Sequence, residues 1–225
     1  MISARNLTKV FGDIVALSDV TFHIDPGEFV FFTGPSGSGK TTLLKLILRE
    51  LKPDSGDLTV GGVDLKSLHH FKLPEYRQTL GPVFQDFKLL PDLSVAENVA
   101  LPLHIRGSKP DNISPAVKIA LEMVELTDRA SLFPSQLSGG ELQRAALARA
   151  IVGKPSLILA DEPTGNLDPK TGKSILKLLR EIHSELKTTI LMATHNADLV
   201  NHNSLRVISL SSGKLVKDES HGKYE

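Results

Sequence analysis

One stretch near the N-terminus restricts the fold more than any other. Residues 28–33 form an almost continuous apolar run that leads without a break into Gly34-Pro35-Ser36-Gly37-Ser38-Gly39-Lys40-Thr41. Behind that come Thr42 and then Leu43, Leu44, Ile47 and Leu51 at helical spacing. An apolar run closed by a turn signal is what a strand buried in a parallel sheet needs, and the leucines behind it predict a helix with one apolar face. Strand, glycine loop and helix match the G-x-x-x-x-G-K-[ST] pattern in the order its chemistry requires. Glycines let the backbone curl until several N–H groups point at phosphate oxygens. The helix start adds the positive end of its dipole, Lys40 reaches the β and γ phosphates, and the Thr41 hydroxyl is a hard oxygen ligand for Mg²⁺. The loop predicts nucleoside triphosphate binding and leaves kinase, GTPase and ATPase open.

The rest of the chain alternates strand and helix patterns, which predicts an α/β fold with a mainly parallel central sheet. Val20, Phe22 and Ile24 alternate with polar residues as in a half-buried strand, and residues 58–60 predict another, preceded by a helix-ending turn over residues 52–56. From about residue 86 to 153 the character turns helical, with Val117, Ala120, Leu121 and Val124 on one helix and residues 142–152 on a second. Residues 102–114, with Gly107 and Pro110, read as surface loop. Strands are predicted at 156–160 and 188–194, a helix through Ile175, Leu178, Leu179, Ile182 and Leu186, and a hairpin at 205–216. The expected organisation is a single domain over 1–225, with a core at 1–85 and 154–217, an antiparallel N-terminal β part, an inserted helical subdomain at 86–153 and a polar, frayed tail at 218–225.

Charge narrows the function classes. Lys plus Arg and Asp plus Glu each number 26, and a net charge of zero argues against a nucleic-acid binder, which neutralises phosphates with excess cations. The chain has no Cys, which rules out thiol catalysis and Cys-based zinc sites. No apolar run approaches membrane-spanning length and the first residues carry no signal-peptide pattern. The chain reads as cytoplasmic, with no membrane insertion of its own.

Residues 157–160 are apolar and end in Asp161-Glu162. The strand delivers this pair to the carboxyl edge of the sheet. There Asp161 suits Mg²⁺ and Glu162 suits a general base for an attacking water.

The sequence Leu137-Ser138-Gly139-Gly140-Glu141-Leu142-Gln143-Arg144 lies shortly before the acidic strand. Ser plus two glycines at a helix start exposes N–H groups and a hydroxyl to an anion. With the phosphate loop and the acidic pair in this order, the chain resembles the ABC-type ATPase subunits, and nearly its whole length takes part. The resemblance implies a P-loop ATPase core with the antiparallel and helical additions expected above, and ATP with Mg²⁺ as ligands. It implies catalytic roles for Glu162, His195, Gln85 and Lys40. Residues 34–42, Asp161, Asp168 and Phe11 would contact nucleotide, Phe11 standing where the family stacks an aromatic on adenine. Thr41, Gln85 and Asp161 would serve the metal. Ser138, Gly139, Gly140 and Glu141 would complete the nucleotide pocket of a second copy, so the ATP-bound state would be a homodimer. This chain departs from the family's commoner residues at Glu141, where Gln is frequent, and at Asn196, where Asp is.

Shorter strings, among them Phe84-Gln85-Asp86-Phe87-Lys88-Leu89-Leu90 and Leu191-Met192-Ala193-Thr194-His195, resemble the cell-division branch of the family, whose membrane partner is of the FtsX kind. That branch implies ATP-driven closure coupled to an FtsX-like integral membrane protein that controls cell-wall hydrolases, with the chain peripheral on the inner face of the bacterial membrane. The partner would meet the groove between core and helical lobe around Phe87, Leu89, Leu90 and Leu93. Lipoprotein-releasing and macrolide-efflux ATPases share much of the pattern and stand as alternatives, as does a non-catalytic ATP-dependent scaffold.

Overall fold

The structure is a computed structural model that describes residues 1–224. The chain begins with strands β1 (Ile2–Phe11), β2 (Ile14–Ile24) and β3 (Phe29–Thr33), then helix α1 (Lys40–Ile47). Strands β4 (Ser55–Val60) and β5 (Val63–Asp64) follow, then α2 (Leu73–Arg77) and β6 (Leu80–Val83). Three helices come next: α3 (Val95–Ile105), α4 (Pro110–Met123) and α5 (Gly139–Ile151). The chain closes with β7 (Leu157–Asp161), α6 (Pro169–Leu186), β8 (Thr189–Thr194), α7 (Ala197–Asn201), β9 (Arg206–Ser211) and β10 (Lys214–Glu219). Two compact units result, one made of 1–77 and 189–225, the other of 78–188.

In the first unit, β2, β1, β4 and β5 form an antiparallel sheet in that order. Val20, Phe22 and Ile24 are buried and their neighbours Thr21 and His23 exposed, as the alternation predicts. The same unit holds β3 in parallel pairing with both β8 and β9, while β10 pairs β9 antiparallel. All five residues of β3 are buried, which a strand with parallel neighbours on both edges requires. Phe22 and Phe32 meet with ring centroids 5.8 Å apart, a separation at which tilted rings attract.

In the second unit β6 and β7 pair in parallel, and α3, α4, α5 and α6 pack in succession. Two helices start with the same device. Ser94 and Ser138 each cap a helix while Glu97 and Glu141, three residues on, reach back to the cap, satisfying two orphan N–H groups reciprocally. Helix α6 starts at Asp168, whose Oδ1 accepts from the N–H groups of Lys170 and Thr171. It buries Ile175, Leu176, Leu178, Leu179 and Ile182, each worth about 1.5–3 kcal/mol of burial.

Four expectations are corrected. Residues 102–114 are a loop only at 106–109: α3 runs to Ile105 through Pro102, and α4 starts on Pro110. Pro110 occupies the first turn, where its missing N–H costs nothing, and α3 carries Pro102 because its buried residues Val95, Val99 and Leu103 pack the helix on α4 and α5. Helix α1 ends before Leu51, because Arg49 turns left-handed (φ 58) and the N–H groups of Glu50 and Leu51 both return to the Lys45 carbonyl. Ser55 and Gly56 open β4 rather than closing a turn. Gly56 lies so close to β1 that a Cβ there would sit 2.3 Å from the Asn6 carbonyl oxygen. The tail does not fray from 218, since β10 continues to Glu219 and Asp218 holds Arg206 in a bidentate pair at 2.8 and 2.9 Å. Glu225, at its end, lies outside the described residues.

Candidate functional site

The first unit carries the phosphate loop. Register pairs Thr33 of β3 with Thr194 of β8, so the loop from Gly34 and the segment from His195 leave the sheet at neighbouring carboxyl ends, where open α/β sheets place their ligands. Gly34 (φ 144) and Gly39 (φ 106) adopt backbone angles that side chains rarely take. A Cβ on Gly34 would stand 2.2 Å from the Leu210 carbonyl oxygen, and one on Gly39 would stand 2.5 Å from that of Ala16. Lys40 is buried, and its Nζ donates to the Gly34 and Pro35 carbonyls at 2.7 and 3.0 Å. Its charge is thus curled over the loop centre. Ser38 Oγ is buried with no hydrogen-bond partner, a costly state that a phosphate oxygen would relieve. Pro35, Ser36 and Gly37 are exposed at the tip, and Thr41 is exposed on the first turn of α1.

The wedge glycines, the buried ammonium and the orphaned hydroxyl fit a phosphate chain. Among the described residues no three acidic or histidine side chains gather as a metal cage would. A Mg²⁺ ion beside Thr41 would take several of its ligands from phosphates and water and only a few from side chains, its usual mode.

Phe11 ends β1 with 43% of its surface exposed, free to stack on a base. Lys9 Nζ lies 5.3 Å from its ring centroid and is tethered to Asp54 at 3.1 Å. His195 and Asn196 are exposed. Asn196 caps α7 by accepting from the Leu199 N–H at 3.1 Å, so the Asp-to-Asn departure is absorbed as a helix cap.

The second unit carries the remaining motifs. Register pairs Val83 with Ala160, so Gln85 and the Asp161–Glu162 pair emerge from adjacent strand ends. Glu162 is half-buried and left-handed (φ 46), and its carbonyl accepts from the Gly165 N–H at 3.0 Å, a tight turn that fixes where the carboxylate leaves the backbone. Gln85 is linked to Asn166 by two hydrogen bonds. At the signature, Glu141 Oε2 accepts from the Ser138 N–H and hydroxyl at 2.9 and 2.7 Å. Gly139 and Gly140 pack on the start of the next motif, where a Cβ at Gly140 would lie 2.8 Å from the Thr171 methyl. Asp168 is exposed and engaged as a helix cap, and the Thr171 side chain and the local N–H groups hold its carboxyl below the usual range.

Three residues at these motifs escape sequence reasoning. Arg149 Nη2 donates to the Phe87 carbonyl at 2.6 Å and Nη1 to that of Lys88, holding two consecutive left-handed residues. Asn98, fully buried, accepts from the Leu90 N–H and donates to the Leu90, Leu93 and Ser94 carbonyls. Asn166 is the third. The segment after Gln85 is therefore a tethered strap. On it Leu90 is 47% exposed, and Phe87, Leu89 and Leu93 are half-buried.

A glycine cradle for phosphates, an acidic pair at a strand end and a serine–glycine signature at a helix start, on this α/β scaffold, define an ABC-type ATPase. The chain belongs to the ABC transporter family, whose model matches residues 17–165. It is 46% identical to the cell division ATP-binding protein FtsE of Bacillus subtilis, over 100% of this chain and 98% of that one. The FtsE of Escherichia coli strain K12 is also 46% identical, over 96% of this chain and 97% of its own. Among solved structures, the dimeric post-hydrolysis state of the ATP-binding cassette MJ0796, bound to ADP and Pi, superposes with a TM-score of 0.88 at 37% identity, covering both chains completely.

Proposed function

We propose that this chain is the ATP-hydrolysing subunit of an FtsE-like bacterial membrane complex, and that it works as a pair of copies closed on two ATP molecules. The observation that carries the nucleotide assignment is the loop around Lys40, with its wedged Gly34 and orphaned Ser38 hydroxyl. In this reading Phe11 stacks on the base, and residues 34–42 hold the phosphates, chiefly through the backbone N–H groups of all but Pro35. Lys40 carries the charge of the β and γ groups. Thr41, Gln85 and Asp161 hold Mg²⁺, which when bound neutralises phosphate charge and orients the γ group. Glu162 accepts a proton from the attacking water, Gln85 orients that water, and His195 donates to the γ phosphate. Ser138, Gly139 and Gly140 grip the nucleotide of the second copy, and Glu141 and Asp168 lie near that contact. The pairing is supported by one phosphate loop and one signature per chain and by the resemblance to a cassette solved as a dimer.

Full-length similarity to proteins named for cell division supports an FtsX-like membrane partner and control of cell-wall hydrolysis at the inner face of the membrane. Among the described residues no helix is long and apolar enough to cross a membrane, so the spanning part would come from that partner. The partly exposed strap from Phe87 to Leu93 is its proposed docking element.

Hydrolysis by wild type and by Glu162→Gln, measured across a dilution series, tests the core of this. The expected result is a specific activity that falls on dilution in wild type, and a variant that binds ATP but turns over at least a hundredfold more slowly. Equal turnover by the two proteins would refute the assignment. Co-purification with a four-span membrane protein lacking a transport cavity would favour the division role over lipoprotein release or efflux.

A further inference from the structure

The second unit holds two helix caps of the same design, and only one carries an added cation. At α3, Glu97 Oε2 accepts from the Ser94 N–H and hydroxyl at 2.7 and 2.6 Å, and among the described residues it makes no ion pair. At α5, Glu141 Oε2 makes the same two bonds to Ser138, and its Oε1 accepts from Arg129 Nε at 2.9 Å. The α3 cap shows that the box closes without a guanidinium, so Arg129 does something that capping does not require.

Arg129 is placed for it by its backbone. It ends a 3-10 turn, Thr127–Arg129, and the residues after it are pinned to the start of α3, with the Ala96 N–H on the Ala130 carbonyl at 2.9 Å and the Val95 N–H on that of Leu132 at 2.8 Å. The pair borders a cavity of about 460 Å³ that Arg144 also lines. Arg144 cannot substitute, being committed to the Val124 carbonyl, Glu125 and Ser174 at 2.8–3.0 Å.

We propose that Arg129 is a positioning residue of the signature: it neutralises Glu141, so that Ser138, Gly139 and Gly140 offer an anion-accepting turn to the nucleotide phosphates held by a second copy of this chain. The proposal rests on the two-copy reading above. The Glu141 carboxylate puts a full negative charge beside the turn proposed to meet phosphate, and like charges repel. The paired guanidinium cancels that charge without breaking the cap. Glu141 is ionised throughout the neutral range as any ordinary glutamate is, and the Ser138 hydroxyl, the Ser138 N–H and then Arg129 hold its carboxyl further down, to about 2. Neutralisation must therefore come from the cation and not from protonation.

The test is a double-mutant cycle on the full chain. ATPase activity is measured against protein concentration for wild type, R129A, E141Q, R129A/E141Q and R129K. ATP affinity is measured separately at dilutions where the chain is monomeric. R129A is expected to lose tenfold or more in activity at limiting protein concentration while monomer ATP affinity changes less than twofold. In the E141Q background the same change is expected to cost under twofold, because no charge is left to balance, and R129K is expected to retain most activity. This rescue separates charge balance from folding, since a structural loss at Arg129 would persist in both backgrounds. An equal loss in both backgrounds, or no loss in R129A, overturns the proposal while the two-copy reading stands. Wild-type activity that does not fall on dilution overturns both.

Discussion

Gln85 and Asn166 hold each other across 81 residues of sequence: Gln85 Nε2 donates to Asn166 Oδ1 at 3.3 Å, and Asn166 Nδ2 donates to the Gln85 carbonyl at 3.0 Å. The glutamine proposed to orient water is thereby fixed to the turn that follows Glu162. Asn166→Ala removes both bonds and leaves the phosphate loop untouched. With about 0.5–1.5 kcal/mol per bond, kcat is expected to fall roughly three- to tenfold with KM for ATP little changed. Steady-state kinetics at saturating protein checks this; a rise in KM alone would show that Asn166 acts on binding.

Phe11 is partly exposed at the end of β1, with Lys9 over its ring, and base stacking on an aromatic is worth about 1–3 kcal/mol. Phe11→Ala is expected to weaken ATP binding roughly 5- to 150-fold, while Phe11→Tyr keeps it. Titration with a fluorescent adenine nucleotide measures both.

Gly34 has no room for a side chain, since a Cβ would meet the Leu210 carbonyl oxygen at 2.2 Å. Gly34→Ala combines that clash with an unfavourable φ, and a cost of about 2 kcal/mol or more is expected. In a chain of this size that lowers Tm by about 4–8 °C. Thermal unfolding without nucleotide reads the stability loss, and the stabilisation normally gained on adding ATP is expected to vanish.

Asn98 is buried with every polar atom of its amide engaged on residues 90–94. Asn98→Ala leaves several backbone groups of the strap without partners, and a loss of about 2–4 kcal/mol is expected in urea unfolding. Proteolysis within the strap is expected to accelerate as well.

Acid is expected to cost the wild type more stability than it costs E141Q. The Glu141 carboxyl lies at about 2 in the folded protein against an ordinary 4.5. The unfolded chain therefore takes up the proton first as pH falls. The stabilisation is fully present above the ordinary value and disappears as pH drops toward about 2. Urea midpoints measured between about pH 6 and 3 should fall more steeply in wild type than in E141Q, and parallel curves would contradict the assignment.

The phosphate loop and the signature were legible in the chain because each is a contiguous string whose residue types carry the chemistry, and the strands flanking them because a buried strand repeats its pattern over a few residues. Register then followed the apolar runs, and β3 and β7 lie where those runs predict. Helix α3 was hidden by Pro102, since proline reads as a breaker wherever it stands, while the packing of α3 on α4 and α5 that sustains the helix joins segments far apart in the chain. The holding roles of Asn98, Asn166, Arg149 and Arg129 could not be read from the string. Most of their partners stand 12 to 81 residues away, and even the local bonds of Asn98, within 8 residues, depend on a backbone curl with no repeat. The linear chain determined which groups can meet a phosphate. Only tertiary packing decided which side chains hold those groups in place, because hydrogen bonds between distant segments obey geometry rather than period.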